Sequence, residues 1–162
     1  MARGKEKTNV MRILDHAGIS YTEHCYADTA AISGTEVAAV LGQNPDRVFK
    51  TLVTRGASGQ HYVFMIPVAE ELDLKKAAKC VGEKSVAMIK SKELLPLTGY
   101  LHGGCSPIGM KKQFPTVIHR TAADFATVFF SAGKIGYQVE TSLQALQSLV
   151  PVTEADLIVK EA

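Results

Sequence analysis

The chain has 162 residues, of which 46% are hydrophobic and 21% are charged. This size and composition are typical of one globular domain with a substantial core. The formal net charge of +2 and the pI near 8.4 fall short of a domain that coats DNA, but they permit a partner that presents a few phosphates. The N-terminus has no apolar signal core, and no apolar run approaches the roughly 18 residues of a membrane span, so we expect a cytoplasmic protein that binds neither DNA nor a membrane.

The cysteines and histidines do not form a recognisable metal or disulfide motif. Cys25, Cys80 and Cys105 are an odd number at wide spacings, which fits neither a disulfide framework nor a zinc site. His24 beside Cys25 would need two further ligands from elsewhere in the fold. We therefore expect no metal and no cofactor.

Helical and strand patterns alternate along the chain. Helical spacing and capping residues predict helices in "TNVMRILDHAG", "SGTEVAAVLG", "ELDLKKAAKCVG", "KSKELLPLTG" and "SLQALQSLV". Strand patterns predict single strands in "ISYTEHCYA", "SVAMI", "PTVIHR", "ATVFFSAG" and "IGYQVET", and a hairpin in "DRVFKTLVTRGASGQHYVFMIPV".

Two of these helices have start signals and apolar faces that can be assigned. Ser33 or Thr35 is expected to cap the second helix, and Asp73 is expected to cap the third. The residues expected to point inward from these helices are Val37, Val40, Leu41, Leu74, Ala77, Ala78 and Val81. Cys80 is expected to pack nearby.

The strand pairs stand too close together for helical crossovers, which favours an α+β domain over a doubly wound parallel sheet. We expect one mixed, strongly curved sheet with helices packed around it. The whole chain, residues 1–162, is predicted to be a single domain in which residues 1–7 are flexible.

Lys50 stands in "DRVFKTLV", a strand that is apolar on both faces. Alternation places it with Val48 and Leu52, while Phe49 and Val53 face the other way. One interpretation is a strand-end lysine whose stem packs while its ammonium reaches water. The other is an ammonium that lines a pocket, where it would bind a phosphate or polarise a carbonyl.

The loop "GYLHGGCSPIGMKK" also has two interpretations. Its glycines, Gly103, Gly104 and Gly109, either serve turns that exclude a side chain or let a ligand approach backbone N–H groups. Cys105 has only His102 nearby to activate it, so a buried, packing cysteine is favoured over a nucleophile. Another glycine-containing loop, "SAGKIGYQ", is either a plain hairpin turn or, with Lys50, part of a mildly basic cleft.

Four segments, "NPDRVFKTL", "PVAEELDLKKAAK", "TGYLHGGCSPIGMKK" and "SAGKIGYQVE", occur in this order and at these separations. Together they closely resemble the YbaK/EbsC family of free-standing aminoacyl-tRNA deacylases. The resemblance runs from about Tyr21 to Val150. It looks closest to the Cys-tRNA(Pro) deacylases, relatives of the editing domain inserted in bacterial prolyl-tRNA synthetases. It implies a mixed α/β fold around a barrel-like sheet.

The resemblance also implies which residues form the site. Lys50 falls on the family's essential lysine in "KTL", which favours the pocket interpretation. The implied substrate-binding positions are Tyr26, Gly103, Gly104, Ser106, Pro107, Ser131 and Gly133. Cys105 stands at a position that is usually apolar. Gln138 stands where some close relatives carry an acid, and no contact is assigned to it.

The implied activity is removal of a wrong amino acid from the tRNA 3′ end, with no nucleophilic triad. For a cysteinyl ester, the substrate's own thiol attacks the carbonyl and a thiolactone leaves, while Lys50 holds the ester and the Gly103–Gly104 backbone binds its carbonyl side. The implied partners are the 3′ end of an aminoacyl-tRNA and a prolyl-tRNA synthetase that presents it, unless many tRNAs are tolerated.

Three alternatives remain open at this stage. The enzyme could act on another amino acid such as alanine in Ala-tRNA(Pro). The protein could be a non-catalytic module that binds an RNA end or a nucleotide, although the retained Lys50 and glycine loop argue against this, as does the lack of an exposed aromatic stacking platform. A regulator of cell-surface expression would need a DNA-binding or protein-binding motif, which the sequence lacks.

Overall fold

The computed structural model describes residues 7–159, so the predicted flexible segment 1–7 lies, apart from its last residue, outside the described residues. The described helices are α1 (Asn9–His16), α2 (Gly34–Leu41), α3 (Leu74–Val81), α4 (Ser91–Thr98) and α5 (Leu143–Leu149). The strands are β1 (Thr22–Cys25), β2 (Phe49–Gly56), β3 (His61–Pro67), β4 (Val86–Met88), β5 (Thr116–His119), β6 (Val128–Lys134), β7 (Tyr137–Thr141) and β8 (Val152–Ala155). Short 3₁₀ turns cover Pro45–Arg47 and Arg120–Asp124.

The helix starts confirm the predicted capping chemistry. Ser33, not Thr35, caps α2: its hydroxyl accepts from the Glu36 N–H, and the Glu36 carboxylate accepts from the Ser33 N–H at 3.1 Å. Asp73 caps α3 by accepting from the N–H groups of Lys75 and Lys76. These bonds satisfy N–H groups that have no partner inside the helix.

The prediction that Val40, Leu74 and Cys80 lie on buried faces is wrong. Val40 of α2 is 51% exposed and Leu74 of α3 is 41% exposed, while Cys80 is exposed as well. Instead, α2 approaches the sheets through Ala38, and α3 does so through Ala77 and Ala78. A small residue lets a short helix lie close to its support, which turns the larger side chains at the edges of the helical face toward solvent.

The α+β class is confirmed, and the strands are divided between two sheets. The five-stranded sheet has the order β4-β2-β3-β5-β8, with parallel pairing of β3 with β5 and of β5 with β8. The three-stranded sheet β1-β7-β6 is antiparallel. A parallel bridge between Val48 and Phe129 is the link between the two sheets among the described residues. The prediction of a single mixed sheet is therefore wrong, and the barrel-like sheet is not closed, because within residues 7–159 β6 pairs with β7 and not with β2. β8 has no counterpart among the strands predicted from the sequence.

The five-stranded sheet is covered by apolar side chains on both faces. The larger core cluster packs α1 and α5 against β2 and β6 and includes Met11, Phe49, Phe130 and Leu146. A second cluster packs α3 against the other face of the β2–β3 hairpin. This double burial explains why the sequence around Lys50 is apolar on both sides. Within residues 7–159, every helix is too short or too polar to cross a membrane.

Candidate active site

A cavity of about 520 Å³ lies where the two sheets diverge. On one side, β2 pairs with β4 only over Thr54–Gly56. Just before β2, Val48 forms a single bridge to Phe129 of β6. The intervening segment Phe49–Val53 lines the cavity. The starts of α2 and α4, the Gly103 loop and the β6–β7 region supply the remaining walls.

Lys50 is the half-buried cation of this cavity. On the hairpin it pairs with Ile66 and lines the cavity wall. Among residues 7–159, no partner forms a hydrogen bond or an ion pair within 4.0 Å with its ammonium group. Burial lowers the pKa of Lys50, and the carboxylates of Glu71 and Glu70 oppose this effect. The ammonium is therefore available to an anionic or carbonyl ligand.

In the glycine loop, Gly103 lines the cavity, whereas Gly104 holds the loop in its own conformation. Gly103 has a φ of +90° and lines the cavity. The Gly104 N–H donates to the Leu101 carbonyl at 2.9 Å, so it is not free to bind a substrate carbonyl. A Cβ on Gly104 would lie 3.1 Å from the Ile135 nitrogen, which shows how closely this loop approaches the β6–β7 turn.

Ser106 and Pro107 are buried and lie outside the cavity lining. The Ser106 hydroxyl accepts from the Ile108 N–H at 3.3 Å, and the Tyr100 hydroxyl donates to the Ile108 carbonyl. These bonds fix the return of the loop after Gly103.

The two predicted site residues of the β6–β7 region differ in position, because only one of them lines the cavity. Ser131 lines the cavity, and its hydroxyl accepts from the Gly133 N–H at 3.0 Å. Gly133 lies outside the lining, at a φ of +91°, where an added Cβ would be 2.9 Å from the Tyr100 ring and 3.0 Å from Val10. The register between β6 and β7 shifts between Ser131 and Lys134, a bulge that turns the strand end.

Tyr26 completes the set of predicted residues that meet at the cavity. Its side chain is 4% exposed and packs with Val37 of α2, and burial raises the pKa of its phenol. The structure therefore brings Lys50, Tyr26, Gly103 and Ser131 together in the lining of one cavity. The predicted residues outside the lining are Gly104, Ser106, Pro107 and Gly133.

Sequence reasoning missed three further polar residues near the site. Glu36 and Lys90 line the cavity from the starts of α2 and α4. Gln43 forms two hydrogen bonds with the cavity residue Gln138, of 2.7 and 3.1 Å. The sequence indicated a cap for α2 and a helix in "KSKELLPLTG", but only the tertiary fold brings the starts of α2 and α4 to the same cavity.

Cys105 also lines the cavity and is 9% exposed, which confirms the predicted packing cysteine. Burial raises the pKa of its thiol to about 12. Because the thiolate is the reactive form, Cys105 is a poor nucleophile at neutral pH. The residues that the structure describes contain no cluster of three or more His, Cys, Asp or Glu side chains able to hold a metal ion.

The fold and the site together define an α+β protein whose cavity is lined by a glycine loop and by Lys50, which has no ion-pair partner within 4.0 Å among residues 7–159. The family model described as the aminoacyl-tRNA editing domain matches residues 28–149. The chain is also 44% identical, over 99% of its length and 100% of the relative, to an Enterococcus faecalis protein named provisionally as a Cys-tRNA(Pro)/Cys-tRNA(Cys) deacylase, EbsC. The chain therefore belongs to the aminoacyl-tRNA editing domain family.

Two further similarities agree with this family. The chain is 34% identical to a proline–tRNA ligase of Pelobacter propionicus, over 61% of this chain and 17% of the ligase. A crystal structure described provisionally as a trans-editing enzyme for prolyl tRNA synthetase superposes with a TM-score of 0.80 at 24% identity, covering 96% of this chain and 100% of that one. The second similarity shows the shared fold.

Proposed function

We propose that this protein is a trans-editing deacylase that removes cysteine from mischarged Cys-tRNA(Pro), with Cys-tRNA(Cys) as a further substrate. The observation that carries the proposal is Lys50, a half-buried ammonium without an ion-pair partner among residues 7–159, on the wall of a 520 Å³ cavity. Membership of the editing domain family and the full-length similarity to EbsC support the substrate class.

Lys50 holds the substrate's 3′ end in this proposal. An ammonium offers three N–H donors, which suit the phosphate and ribose oxygens beside the ester. No described side chain neutralises it within 4.0 Å, so substrate does not have to displace an internal ion pair. Its charge in a partly desolvated cavity also stabilises negative charge that develops on the ester.

Gly103 is the better backbone donor for the ester carbonyl. It lines the cavity, whereas the Gly104 N–H already donates to Leu101. The sequence-based assignment of the whole Gly103–Gly104 backbone is therefore narrowed to Gly103. Gly104 instead allows the close contact with the Ile135 backbone that holds the loop in place.

The chemistry is carried largely by the substrate. The cysteine sulfur attacks its own ester carbonyl, a C–S bond forms, and the C–O bond to the ribose breaks. The proton of the thiol is transferred to the departing ribose oxygen, and the cysteine thiolactone that leaves is later opened by water. Positioning the thiol against the carbonyl is the protein's main contribution, since Cys105 stays protonated.

A separate editing site is physically reasonable for this substrate. A pocket that binds proline cannot strongly exclude a side chain of similar or smaller size, because one methylene changes binding by only about 1–3 kcal/mol. The similarity to part of a proline–tRNA ligase supports a prolyl-tRNA synthetase as the partner that presents the mischarged tRNA.

Deacylation of Cys-tRNA(Pro), Ala-tRNA(Pro) and Pro-tRNA(Pro) by the purified protein tests the proposal. We expect rapid loss of cysteine, with thiolactone as the first product, and little loss of proline. S-methylcysteinyl-tRNA(Pro) serves as a matched substrate that cannot form the thiolactone and should remain intact. Preferential release of alanine would assign the enzyme to another substrate, and no turnover on any ester would favour a binding module.

A further inference from the structure

Two isoleucines at the cavity mouth are exposed although they contact the same point of the glycine loop. Ile32 precedes α2 and is 51% exposed, and Ile135 lies in the turn between β6 and β7 and is 40% exposed. A Cβ built on Gly103 would lie 3.1 Å from Cγ2 of Ile32 and 3.5 Å from Cδ1 of Ile135. The two side chains therefore converge over Gly103, and we refer to this pair as the isoleucine clamp.

The location of the clamp calls for a functional explanation. Hairpin turns usually carry Gly, Asn, Asp or Ser, yet Ile135 stands there between Lys134 and Gly136. Adjacent exposed apolar side chains, unlike isolated ones, mark binding surfaces. Ile32 itself lines the cavity, as does Gly103 beneath the clamp, so the apolar surface is continuous with the site that holds Lys50.

We infer that the isoleucine clamp binds the terminal nucleobase of the substrate, an inference that rests on the proposed function. A nucleobase is a flat, weakly polar ring whose faces gain free energy when apolar side chains remove them from water. The two isoleucines supply such a surface without an aromatic ring. They therefore provide the base-binding element that an aromatic platform provides in other proteins.

The order of groups in the substrate places the base at the mouth. The ribose carries the aminoacyl ester on one carbon and the base on another, so both cannot occupy the same depth. The ester must reach the part of the cavity that the half-buried Lys50 lines. The base then lies outward of the ribose, where Ile32 is both a cavity residue and half-exposed.

Glycine at position 103 fits this arrangement. Its φ of +90° is a conformation that side-chain-bearing residues rarely adopt, and an added Cβ would lie 3.1 Å from Ile32 and 3.5 Å from Ile135. The absence of a side chain lets both isoleucines pack directly on the loop, which leaves their outer faces as one apolar surface for the base.

Calorimetric binding of two non-hydrolysable ligands tests the clamp without requiring turnover. The first is adenosine 5′-phosphate with alanine joined to the 3′ position through an amide, and the second is the same compound with hydrogen in place of the base. We expect the native protein to bind the first about tenfold more tightly. In the Ile32→Ser/Ile135→Ser variant, the two ligands should bind within about twofold of each other.

Matched controls come from aliphatic residues of equal exposure that lie outside the cavity lining. Val40 is 51% exposed and Leu74 is 41% exposed, so Val40→Ser/Leu74→Ser should keep the tenfold difference. Thermal melts would show that both double variants are folded. A tenfold difference retained in the clamp variant would overturn the inference, and so would equal binding of the two ligands, or binding of neither, by the native protein.

Deacylation of Cys-tRNA(Pro), measured on the same preparations, separates this inference from the proposed function. Base-dependent binding through the clamp without deacylation would refute the proposed function and leave the base site standing. Deacylation without base-dependent binding would support the function and overturn the clamp.

Discussion

Gln43 and Gln138 form a closed pair of amide hydrogen bonds beside the cavity. Nε2 of Gln43 donates to Oε1 of Gln138 at 2.7 Å, and Nε2 of Gln138 donates to Oε1 of Gln43 at 3.1 Å. Gln138 is 3% exposed on β7 and lines the cavity, while Gln43 follows the end of α2. The pair thus connects α2 to the three-stranded sheet and gives the cavity a neutral polar wall.

Replacing one glutamine of this pair should lower the free energy of unfolding more than replacing both. Gln138→Leu leaves the partly buried Gln43 amide without its partner, which is expected to lower the free energy of unfolding by about 1–3 kcal/mol. The double variant Gln43→Leu/Gln138→Leu should recover part of that loss. Urea unfolding of both variants gives the comparison, and purely additive losses would show that the two amides do not depend on each other.

Replacing Lys50 by methionine should leave the protein as stable as before, or more stable, while abolishing deacylation. Burial lowers the pKa of Lys50, so the fold disfavours the charged form relative to the unfolded chain. Below that lowered pKa both the folded and the unfolded states carry the proton, so the full penalty of burying the charge is present there. We expect Lys50→Met to keep Tm or raise it by up to about 3 °C. A fall in Tm of several degrees would show that the ammonium stabilises the fold.

Gly133 should be intolerant of alanine for a reason beyond its backbone angle. Its φ is +91°, and an added Cβ would lie 2.9 Å from Tyr100 and 3.0 Å from Val10. Gly59 has a similar φ of +94° with no atom within 4 Å of such a Cβ, which makes it a matched control. Gly59→Ala should cost about 1 kcal/mol and Gly133→Ala roughly 1–3 kcal/mol more.

Chemical denaturation of the two glycine variants would measure these costs. We also expect Gly133→Ala to lower deacylation, because Tyr100 anchors the glycine loop through the Ile108 carbonyl. Equal destabilisation by the two substitutions would contradict the close packing at Gly133.

His119 should make the fold sensitive to mild acid. It is 3% exposed, and its Nδ1 accepts from the Leu157 N–H at 3.1 Å, which requires a neutral ring. Burial lowers its pKa from 6.5, with Arg120 and Lys76 acting in the same direction and Asp156 and Glu70 opposing. The stability that neutral His119 contributes is therefore fully present above about pH 6.5. As the pH falls below that value, the free energy of unfolding decreases by at most about 1.4 kcal/mol per pH unit.

Urea unfolding between about pH 5 and 8 tests the His119 prediction. His119→Asn keeps an acceptor for Leu157 without an ionisable ring and should show a smaller loss of stability in acid. His16→Asn, at an exposed position of α1, should keep the native dependence. Parallel curves for the native protein and His119→Asn would assign the acid sensitivity to other groups.

Cys105→Ala should retain most of the deacylase activity. The thiol is buried and its pKa is raised to about 12, so no thiolate is available for attack on the ester at neutral pH. The lost sulfur should cost about 1 kcal/mol of stability. Initial rates and thermal melts would check both expectations, and a rate loss comparable to that of a Lys50 variant would make the thiol a participant.

The sequence predicted the local structure well because the signals involved are local. The cap at Ser33, the cap at Asp73 and the β2–β3 hairpin depend on residues a few positions apart, and all three are observed. The exposed faces at Val40 and Leu74 were missed because they depend on how closely the alanine faces of α2 and α3 approach the sheets.

The site was predictable in part, and mainly through resemblance. Pattern alone showed that Lys50 was unusual but could not distinguish a strand-end position from a cavity wall. The division between Gly103, which lines the cavity, and Gly104, whose N–H is already used, depends on the tertiary path of the loop. The pairing of Gln43 with Gln138 spans 95 residues of sequence, and no local pattern encodes it.

Deacylation of Cys-tRNA(Pro) by Lys50→Ala is the measurement to make first. Lys75→Ala, at an exposed position of α3, is the matched control. We predict that Lys50→Ala lowers the rate by at least about 100-fold with an unchanged melting temperature, while Lys75→Ala keeps the native rate. A folded Lys50→Ala protein that removes cysteine at the native rate would contradict the assignment of Lys50 and of this cavity as the editing site.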